Sequence, residues 1–192
     1  MRVGFIGVGR IGGNLARLLT AGGHETLLSA TNPEGPKQLA AELGATASAV
    51  SPQQAIAESD AVVIAVWWEA FAQVASEYGP PLQGRLVIDP SNPLTEVNGV
   101  PTPVPIPGGL TSPQHQLRIL GDVRLVRTFG DRLAPQLLID GERGQQGGAR
   151  SEMRYWSDDA AAAALVVPLI HDAGFDPVDG GGLAQSKNAG EG

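Results

Sequence analysis

The chain begins Met1-Arg2-Val3-Gly4-Phe5-Ile6-Gly7-Val8-Gly9-Arg10-Ile11-Gly12, and these residues indicate the type of fold. The short apolar run over residues 2–7 predicts a buried strand. Leucines at helical spacing over residues 11–20 predict that a helix follows at once. A strand passing so directly into a helix is typical of a parallel sheet whose strands are joined by helices.

The glycines of this turn have the spacing of a dinucleotide-binding fingerprint. Gly7 allows a tight turn, Gly9 lets a pyrophosphate approach the backbone, and Gly12 lets the helix pack close to the strand. Unpaired N–H groups at the helix start then face the phosphates. An ordinary strand–helix turn is the alternative, but the position directly after a strand favours cofactor binding. The predicted phosphate-binding turn comprises Gly7, Val8, Gly9, Arg10, Ile11 and Gly12.

The same alternation continues along the chain. We predict further strands over 25–29, 61–66, 86–89 and 123–126. Helices are predicted over 37–43, from Ser51-Pro52 onward and over 68–78. After the last of these, Pro80-Pro81 is expected to break the chain. This order predicts a Rossmann-type, doubly wound parallel α/β sheet with right-handed crossovers.

The second half has a different texture. Residues 90–113 hold seven prolines and three glycines and predict a long ordered loop or lid, followed by a helix over 112–120. Residues 141–150 are expected to be mobile. A strand over 153–156, a helix over 157–173 and a strand over 175–178 predict a small strand–helix–strand extension. We therefore divide the chain into a dinucleotide-binding domain, residues 1–139, and a small substrate-side extension, residues 140–192.

The composition excludes several classes of function. The 192 residues carry a net charge of −7 with only two lysines, so no nucleic-acid partner is expected. The absence of cysteine removes disulfides and thiolate catalysis, and the three histidines lack metal-ligand spacing, so no metal is expected. We see no signal peptide and no apolar run of membrane-spanning length, and expect a cytoplasmic protein without a membrane partner.

The end of the second strand bears on the choice of nucleotide. NAD-binding domains usually place an acidic residue there to hold the ribose hydroxyls. Here no acid is present, so nothing repels a 2′-phosphate, although no arginine is present either. The missing acid favours NADP(H) over NAD. The candidate contacts are Ser29, Ala30, Thr31 and Asn32.

Loops at the carboxyl ends of the strands line the ligand crevice in such folds. Three of them, Ala65–Glu69, Asp89–Leu94 and Arg127–Asp131, are the expected places for the nicotinamide and for a substrate. For Trp67 and Trp68, core packing and a cofactor contact by at least one of them are about equally favoured. For Asn92, a role in shaping the loop is favoured over catalysis.

Five stretches carry a resemblance to a known family. They are residues 1–25, 61–70, 87–94, 125–129 and 158–183. In these stretches the chain resembles the NADPH:coenzyme F420 reductases, the deazaflavin-dependent NADP oxidoreductases. The resemblance implies an enzyme that transfers hydride between NADP(H) and the deazaflavin coenzyme F420.

The resemblance also implies roles for residues. Val8, Gly9, Arg10 and Ile11 would contact the pyrophosphate, and Ala65, Val66, Trp67 and Asn92 join them as cofactor-side residues. The residues implied for the substrate side are Trp68, Pro93, Leu94, Thr128, Phe129 and Gly130. The chain departs from the family at Thr31, where the family has a phosphate-binding arginine, and at Trp67, where it has proline. Gly130 stands in place of an asparagine.

No catalytic side chain is predicted. We find no Ser–His–Asp arrangement, no paired carboxylates and no lysine in a plausible cleft position. Hydride transfer between two cofactors needs none of these, because it requires two planar rings held face to face and shielded from water. The alternatives are an NADPH-dependent reductase of a small organic substrate (imine, enone or ketone) and a non-catalytic NADP(H)-binding module. A homodimer is expected, because the proline-rich loop and the short extension look too small to close the cleft alone.

Overall fold

The computed structural model describes residues 1–186. Its strands are β1 (Arg2–Ile6), β2 (Glu25–Ser29), β3 (Ala47–Ala49), β4 (Ala61–Ile64), β5 (Leu86–Asp89), β6 (Leu94–Val97), β7 (Val100–Pro103), β8 (Arg124–Thr128), β9 (Ser151–Trp156) and β10 (Phe175–Asp179). Its α-helices are α1 (Arg10–Ala21), α2 (Glu34–Leu43), α3 (Pro52–Ala57), α4 (Phe71–Leu82), α5 (Ser112–Leu120), α6 (Ala134–Gln145) and α7 (Ala160–Asp172). Short 3-10 turns cover Trp68–Ala70, Pro107–Gly109 and Leu183–Gln185.

Eight strands form one sheet in the order β10-β9-β8-β5-β4-β1-β2-β3. The six strands from β3 to β8 in this order are parallel. Strand β9 pairs antiparallel with β8, and β10 pairs parallel with β9. The carboxyl ends of the six parallel strands therefore lie at one edge of the sheet, which we call the carboxyl edge.

Helices cover both faces of the sheet. On one face, Leu15 of α1, Leu137 of α6 and Val166 of α7 belong to one buried apolar cluster. On the other face, Ile56 of α3 and Phe71 of α4 belong to a second cluster. The predicted doubly wound fold and its strand–helix–strand extension are confirmed. Within residues 1–186, no helix is long and apolar enough to cross a membrane.

The extension continues the main sheet through β9 and β10. The proposed boundary between residues 139 and 140 falls within α6 and stays a prediction. Residues 187–192, which we assigned to the extension, lie outside the described part of the chain.

The expectation of a mobile segment over residues 141–150 was wrong for its first half. Helix α6 runs to Gln145. Its glycines serve close packing, because a Cβ atom on Gly141 would lie 2.6 Å from the side chain of Leu18, and one on Gly144 would overlap the carbonyl oxygen of Gly174. Glycine content here reflects a tight helix contact.

The expected break at Pro80-Pro81 was also wrong, because both prolines lie in the last turn of α4. Each proline lacks the N–H that would bond to the preceding turn. The preceding turn is exposed at Ser76 and Glu77, so water can solvate the freed carbonyl groups. The side chain of Gln83 also donates to the carbonyl oxygen of Gly79, at 2.8 Å.

The proline-rich loop contains a hairpin that we did not predict. Strands β6 and β7 pair antiparallel, joined by Asn98 and Gly99, whose φ angles are 52° and 80°. Two positive φ values are the geometry of a type I′ turn, for which Asn-Gly is the preferred sequence. That dipeptide was the signal available in the sequence.

Candidate active site at the carboxyl edge

Two glycines of the first turn bring the backbones close together. Gly7 has a φ of 96°, and its N–H donates to the carbonyl oxygen of Ser29 at 2.8 Å. A Cβ atom on Gly7 would overlap the carbonyl oxygen of Ala65, and one on Gly12 would overlap that of Gly7. The turn, the first helix and the loop after β4 can approach so closely only with glycine at these two positions.

Gly9 lies in a different environment. It is the N-cap residue of α1, it is exposed, and no side chain caps the helix there. A Cβ atom on Gly9 would meet no atom within 4 Å. Val8 and Ile11 lie half-buried beside it, and Arg10 is exposed. An open cradle in front of an uncapped helix start fits a pyrophosphate, because the helix offers N–H donors and the positive end of its dipole.

The end of β2 presents fewer ligand contacts than we expected. The hydroxyl of Ser29 is buried and donates to the carbonyl oxygen of Phe5 at 2.6 Å, so it does not reach the crevice. The Oδ1 atom of Asn32 accepts from the N–H of Glu34 at 3.0 Å and shapes the turn. Thr31 is exposed.

A pocket of about 430 Å³ lies at this end of β2. Its lining includes two predicted residues and five others that we did not single out: Ala30, Thr31, Lys37, Ala49, Val50, Ser51 and Gln54. Lys37 is the only cation among the pocket residues, and its Nζ atom lies 2.9 Å from Oε1 of Glu34. Lys37 lies one helical turn into α2, outside the strand end at which we expected the nucleotide contacts, so the sequence did not indicate it.

The loop after β4 holds the two neighbouring tryptophans in different settings. The backbone of Ala65 continues the pairing with β1, its N–H donating to Ile6 at 2.9 Å, and Val66 lies against Gly7. Trp68 stacks on His115, with ring centroids 5.5 Å apart and an interplanar angle of 23°. Trp67, in contrast, is 59% exposed. Trp68 is therefore engaged in packing, whereas the indole of Trp67 is free to meet a ligand.

The loops after β5 and β8 are tied to each other. The Nδ2 atom of Asn92 donates to the carbonyl oxygen of Gly130 at 2.8 Å, and its Oδ1 atom accepts from Nη2 of Arg127 at 2.8 Å. Both ends of the carboxamide are thus used within the protein, in keeping with a loop-shaping role. Pro93 is buried and Leu94 is half-buried beside it.

Two predicted substrate-side residues of the loop after β8 are fully buried. The hydroxyl of Thr128 donates to the carbonyl oxygen of Arg154 at 2.9 Å. Phe129 has a φ of 64°, and its ring meets that of Phe175 edge to face, 6.4 Å between centroids. With their side chains turned inward, Thr128 and Phe129 can offer a ligand only their backbone.

Asp89, at the end of β5, is the buried ionisable carboxylic acid nearest these loops. It is fully buried, and its Oδ1 atom accepts from the N–H of Ser91 at 2.8 Å. Burial raises the pKa of its carboxyl group, while Arg127 and the bonds from Ser91 oppose that effect. Among residues 1–186, no group of three or more His, Cys, Asp or Glu side chains could hold a metal ion.

Comparison with known families indicates the class of protein to which this site belongs. Residues 2–93 match the family model of the coenzyme F420-dependent NADP oxidoreductases. The match covers just under half of the chain and includes the glycine turn and the loops after β4 and β5. It confirms the resemblance in this part and the predicted class, an NADP-dependent oxidoreductase. No curated protein gave a significant match.

Solved structures of similar fold cover nearly the whole chain. A candidate F420-dependent NADP reductase from Arthrobacter sp. FB24 is 23% identical, with a TM-score of 0.79, 95% of this chain covered and 86% of that one. A hypothetical protein from Sinorhizobium meliloti is 25% identical, with a TM-score of 0.84 and coverages of 100% and 91%. An imine reductase from Pseudomonas sp. is 17% identical, with a TM-score of 0.67, and this chain spans only 56% of its length.

Proposed function

We propose that the protein transfers hydride between NADP(H) and a deazaflavin coenzyme of the F420 type. The observation that carries the proposal is the open cradle at Gly9, in a stretch that matches the F420-dependent family model. When bound, the nicotinamide supplies or accepts the hydride. The protein's part is to hold the two rings together and to keep water out.

The cradle supports our proposal that the pyrophosphate binds at the turn around Gly9. The N–H groups of the first turn of α1 would bind the phosphate oxygens, and the exposed Arg10 adds a positive charge beside them. Gly7 and Gly12 keep the turn close to the sheet. The loops after β4, β5 and β8 then lie at the same edge, where the nicotinamide and the second ring would meet.

For the 2′-phosphate, we propose that Thr31 and Lys37 replace the arginine of the family. Both line the pocket at the end of β2, and Lys37 can exchange its contact with Glu34 for a phosphate. A charge-assisted bond of this kind contributes about 1.5–3 kcal/mol. Lys37→Met should weaken NADPH binding by about tenfold or more and leave NADH binding unchanged.

Calorimetric titration with both nucleotides checks this assignment. Arg118→Met removes an exposed positive charge on α5 and serves as the matched control, because it changes the net charge equally. An equal loss of NADPH affinity in both variants would mean that only the overall charge matters. Equal losses of NADPH and NADH affinity in Lys37→Met would remove the 2′-phosphate assignment.

A turnover assay tests the proposed function. Oxidised deazaflavin mixed with the protein and NADPH should lose its visible absorbance, whereas the same mixture without protein should not. Consumption of NADPH with a cyclic imine and none with deazaflavin would favour the alternative, a reductase of a small organic substrate. Tight NADPH binding with no turnover of either would instead favour a nucleotide-binding module.

The alternative substrate has one specific observation in its favour. The exposed indole of Trp67 stands where the family has a proline, so it changes the space available to a second ring. The imine reductase from Pseudomonas sp. shares the fold over 96% of this chain. We keep the deazaflavin as the first choice because the sequence match itself is to the F420-dependent family.

We also propose a homodimer, because the proline-rich loop and the short extension are small elements with which to close the cleft alone. Val97 and Val100 of the hairpin are 49% and 61% exposed, and such apolar side chains are suited to a subunit contact. Light scattering over a dilution series tests this proposal. A monomer at all working concentrations would contradict it.

A further inference from the structure

We propose that the hydrogen bonds of Arg127 and Asn92, which we call the latch, hold the loop after β5 and the loop after β8 in one fixed arrangement. Arg127 is the positioning residue and Asn92 is the bridge. That these loops receive the second substrate rests on the proposed function. The latch itself rests on contacts within the protein.

Arg127, in the neighbouring strand β8, binds the end of β5 and the loop that follows it. Although it carries a charge, it is only 2% exposed. Its Nη1 atom donates to the carbonyl oxygen of Asp89 at 3.3 Å and to that of Ser91, and its Nη2 atom donates to Oδ1 of Asn92 at 2.8 Å. A planar guanidinium with several fixed donors can hold three acceptors at and just after the end of β5 in register, which a lysine cannot do.

Asn92 connects this loop to the next one. Its Oδ1 atom is held by Arg127, so its Nδ2 atom is directed to the carbonyl oxygen of Gly130, at 2.8 Å. A Cβ atom on residue 130 would overlap the guanidinium of Arg127, so a side chain there would require the guanidinium to move away from its three acceptors. This chain has glycine at position 130, where the family has asparagine, and the glycine leaves room for the guanidinium of Arg127.

The residue before Gly130 shows that the arrangement is held under strain. Phe129 has a φ of 64°, and this left-handed conformation costs a bulky residue about 1–2 kcal/mol. Its ring is fully buried against Phe175, and its neighbour Gly130 is bonded to Asn92. A strained conformation persists only where the surroundings determine it, and here the buried ring and the latch do so.

The charge of Arg127 is partly balanced by a second buried group. Asp89 is fully buried at the end of β5 and accepts from Ser91 at 2.8 Å. Removing Arg127 would leave this carboxyl group without its positive neighbour, which is strongly destabilising in a protein interior. Substitution of Arg127 would therefore test folding, and the latch is better tested at Asn92.

The latch predicts a defined effect on catalysis. Hydride transfer depends on the placement of two rings, and a displacement of about 1 Å can cost about 100-fold in rate. Asn92→Ala frees the loop after β8 from the loop after β5. It should reduce kcat for the second substrate by about tenfold to 100-fold and change NADPH affinity much less, because the phosphate turn, which lies on other elements, stays intact.

Gln83→Ala is the matched control. The side chain of Gln83 makes three bonds of the same kind, to Gly79 at 2.8 Å, to Leu120 at 3.0 Å and from the N–H of Asp122 at 2.8 Å. It precedes β5 and lies at the opposite edge of the sheet. Its loss should lower the melting temperature by an amount similar to the loss of Asn92 and leave kcat unchanged.

The experiment combines hydrogen exchange of the ligand-free protein with steady-state kinetics. In Asn92→Ala, amides of residues 91–94 and 128–131 should exchange about tenfold faster than in the wild type, which corresponds to about 1.4 kcal/mol. Gln83→Ala should accelerate only the amides around Asp122. Asn92→Asp keeps the acceptor for Arg127 and loses the donor to Gly130, so it should accelerate residues 128–131 more than residues 91–94.

Unchanged exchange at both loops in Asn92→Ala overturns the latch. Faster exchange with wild-type kcat and KM overturns its role in positioning the substrate. Failure of the wild-type protein to reduce deazaflavin is a failure of the proposed function, and the exchange data then still decide whether the latch exists.

Discussion

At the scale of single residues, the glycines of the first turn differ in the space around them. Gly7 and Gly12 have no room for a side chain, since a Cβ atom on either would overlap a backbone carbonyl oxygen. Gly9 has room within the protein, and its φ of −68° suits any residue. The fold therefore does not require glycine at position 9, and we propose that the requirement comes from a ligand.

This difference leads to a paired prediction. Gly9→Ala should keep the wild-type melting temperature, with a stability change within about 0.5 kcal/mol, and should weaken NADPH binding by about tenfold or more, because the methyl group occupies the path of the pyrophosphate. Gly12→Ala should lower the melting temperature. Thermal unfolding with NADPH titration checks both variants. If Gly9→Ala binds NADPH as the wild type does, the cradle is not the phosphate site.

Residue identity in the sequence predicted the turn but not every contact around it. The glycine spacing indicates both the turn and its packing, because both are local. Ser29 was expected to face the ligand, but its hydroxyl is used by the neighbouring strand. The contacts of Lys37 and Arg127 were not predicted, because their surroundings depend on elements distant in sequence. Contacts of this kind cannot be inferred from local spacing.

At the scale of elements, the start of α7 was predicted from the sequence, as were those of α3 and α5. The sequence Ser157-Asp158-Asp159 predicts a capped start, and Asp159 is indeed the N-cap residue, with Oδ1 accepting from the N–H of Ala162 at 2.9 Å. Its Oδ2 atom accepts from Nε of Arg124 at 2.8 Å, which joins the helix to β8.

Asp159→Ala should therefore destabilise the protein by about 1–2 kcal/mol without changing turnover, because this helix start lies at the edge opposite the candidate site. Chemical denaturation together with the turnover assay checks the prediction. Asp158→Ala, which leaves the cap and Arg124 intact, is the comparison on the same helix start. A larger loss of activity than of stability in Asp159→Ala would contradict the separation of this helix from the site.

Elements rich in glycine and proline were the least predictable. Residues 141–145 look like a loop in composition but form part of α6, because glycine lets the helix approach its neighbours. The hairpin of β6 and β7 lacks the alternation of a half-buried strand, since its two strands carry two prolines and two threonines among few apolar residues. In α6 tertiary packing overrides local propensity, whereas the hairpin follows from its local Asn98-Gly99 turn.

At the scale of the whole molecule, one contact joins elements from both ends of the chain. His24, 7% exposed before β2, has Nε2 3.2 Å from Oδ2 of Asp172 at the end of α7, and its Nδ1 atom lies 3.1 Å from the amino group of Met1. Burial lowers the pKa of His24, the positive amino group lowers it further, and Asp172 opposes both effects.

The lowered pKa makes stability depend on pH in a known direction. The unfolded chain takes up a proton at His24 near its ordinary pKa of about 6.5, while the folded protein resists it. The free energy of unfolding should therefore decrease as pH falls below about 6.5 and level off below the folded pKa. His24→Gln should show a shallower dependence, and His171→Gln, which keeps His24, should retain the wild-type slope. Equal slopes in all three proteins would contradict this account.

The whole sheet places the candidate site, and one isotope measurement tests what occurs there. NADPH carrying deuterium at the transferred position of the nicotinamide is incubated with the protein and oxidised deazaflavin, and the reduced coenzyme is analysed by mass spectrometry. We predict that the coenzyme is reduced and gains one carbon-bound deuterium from NADPH. With unlabelled NADPH in deuterated water, no deuterium should be found on the reduced ring carbon, because the proton that accompanies the hydride comes from solvent, binds a ring nitrogen and exchanges back during work-up in ordinary water. No reduction, or a hydrogen at that carbon derived from solvent, would contradict direct hydride transfer between the two cofactors.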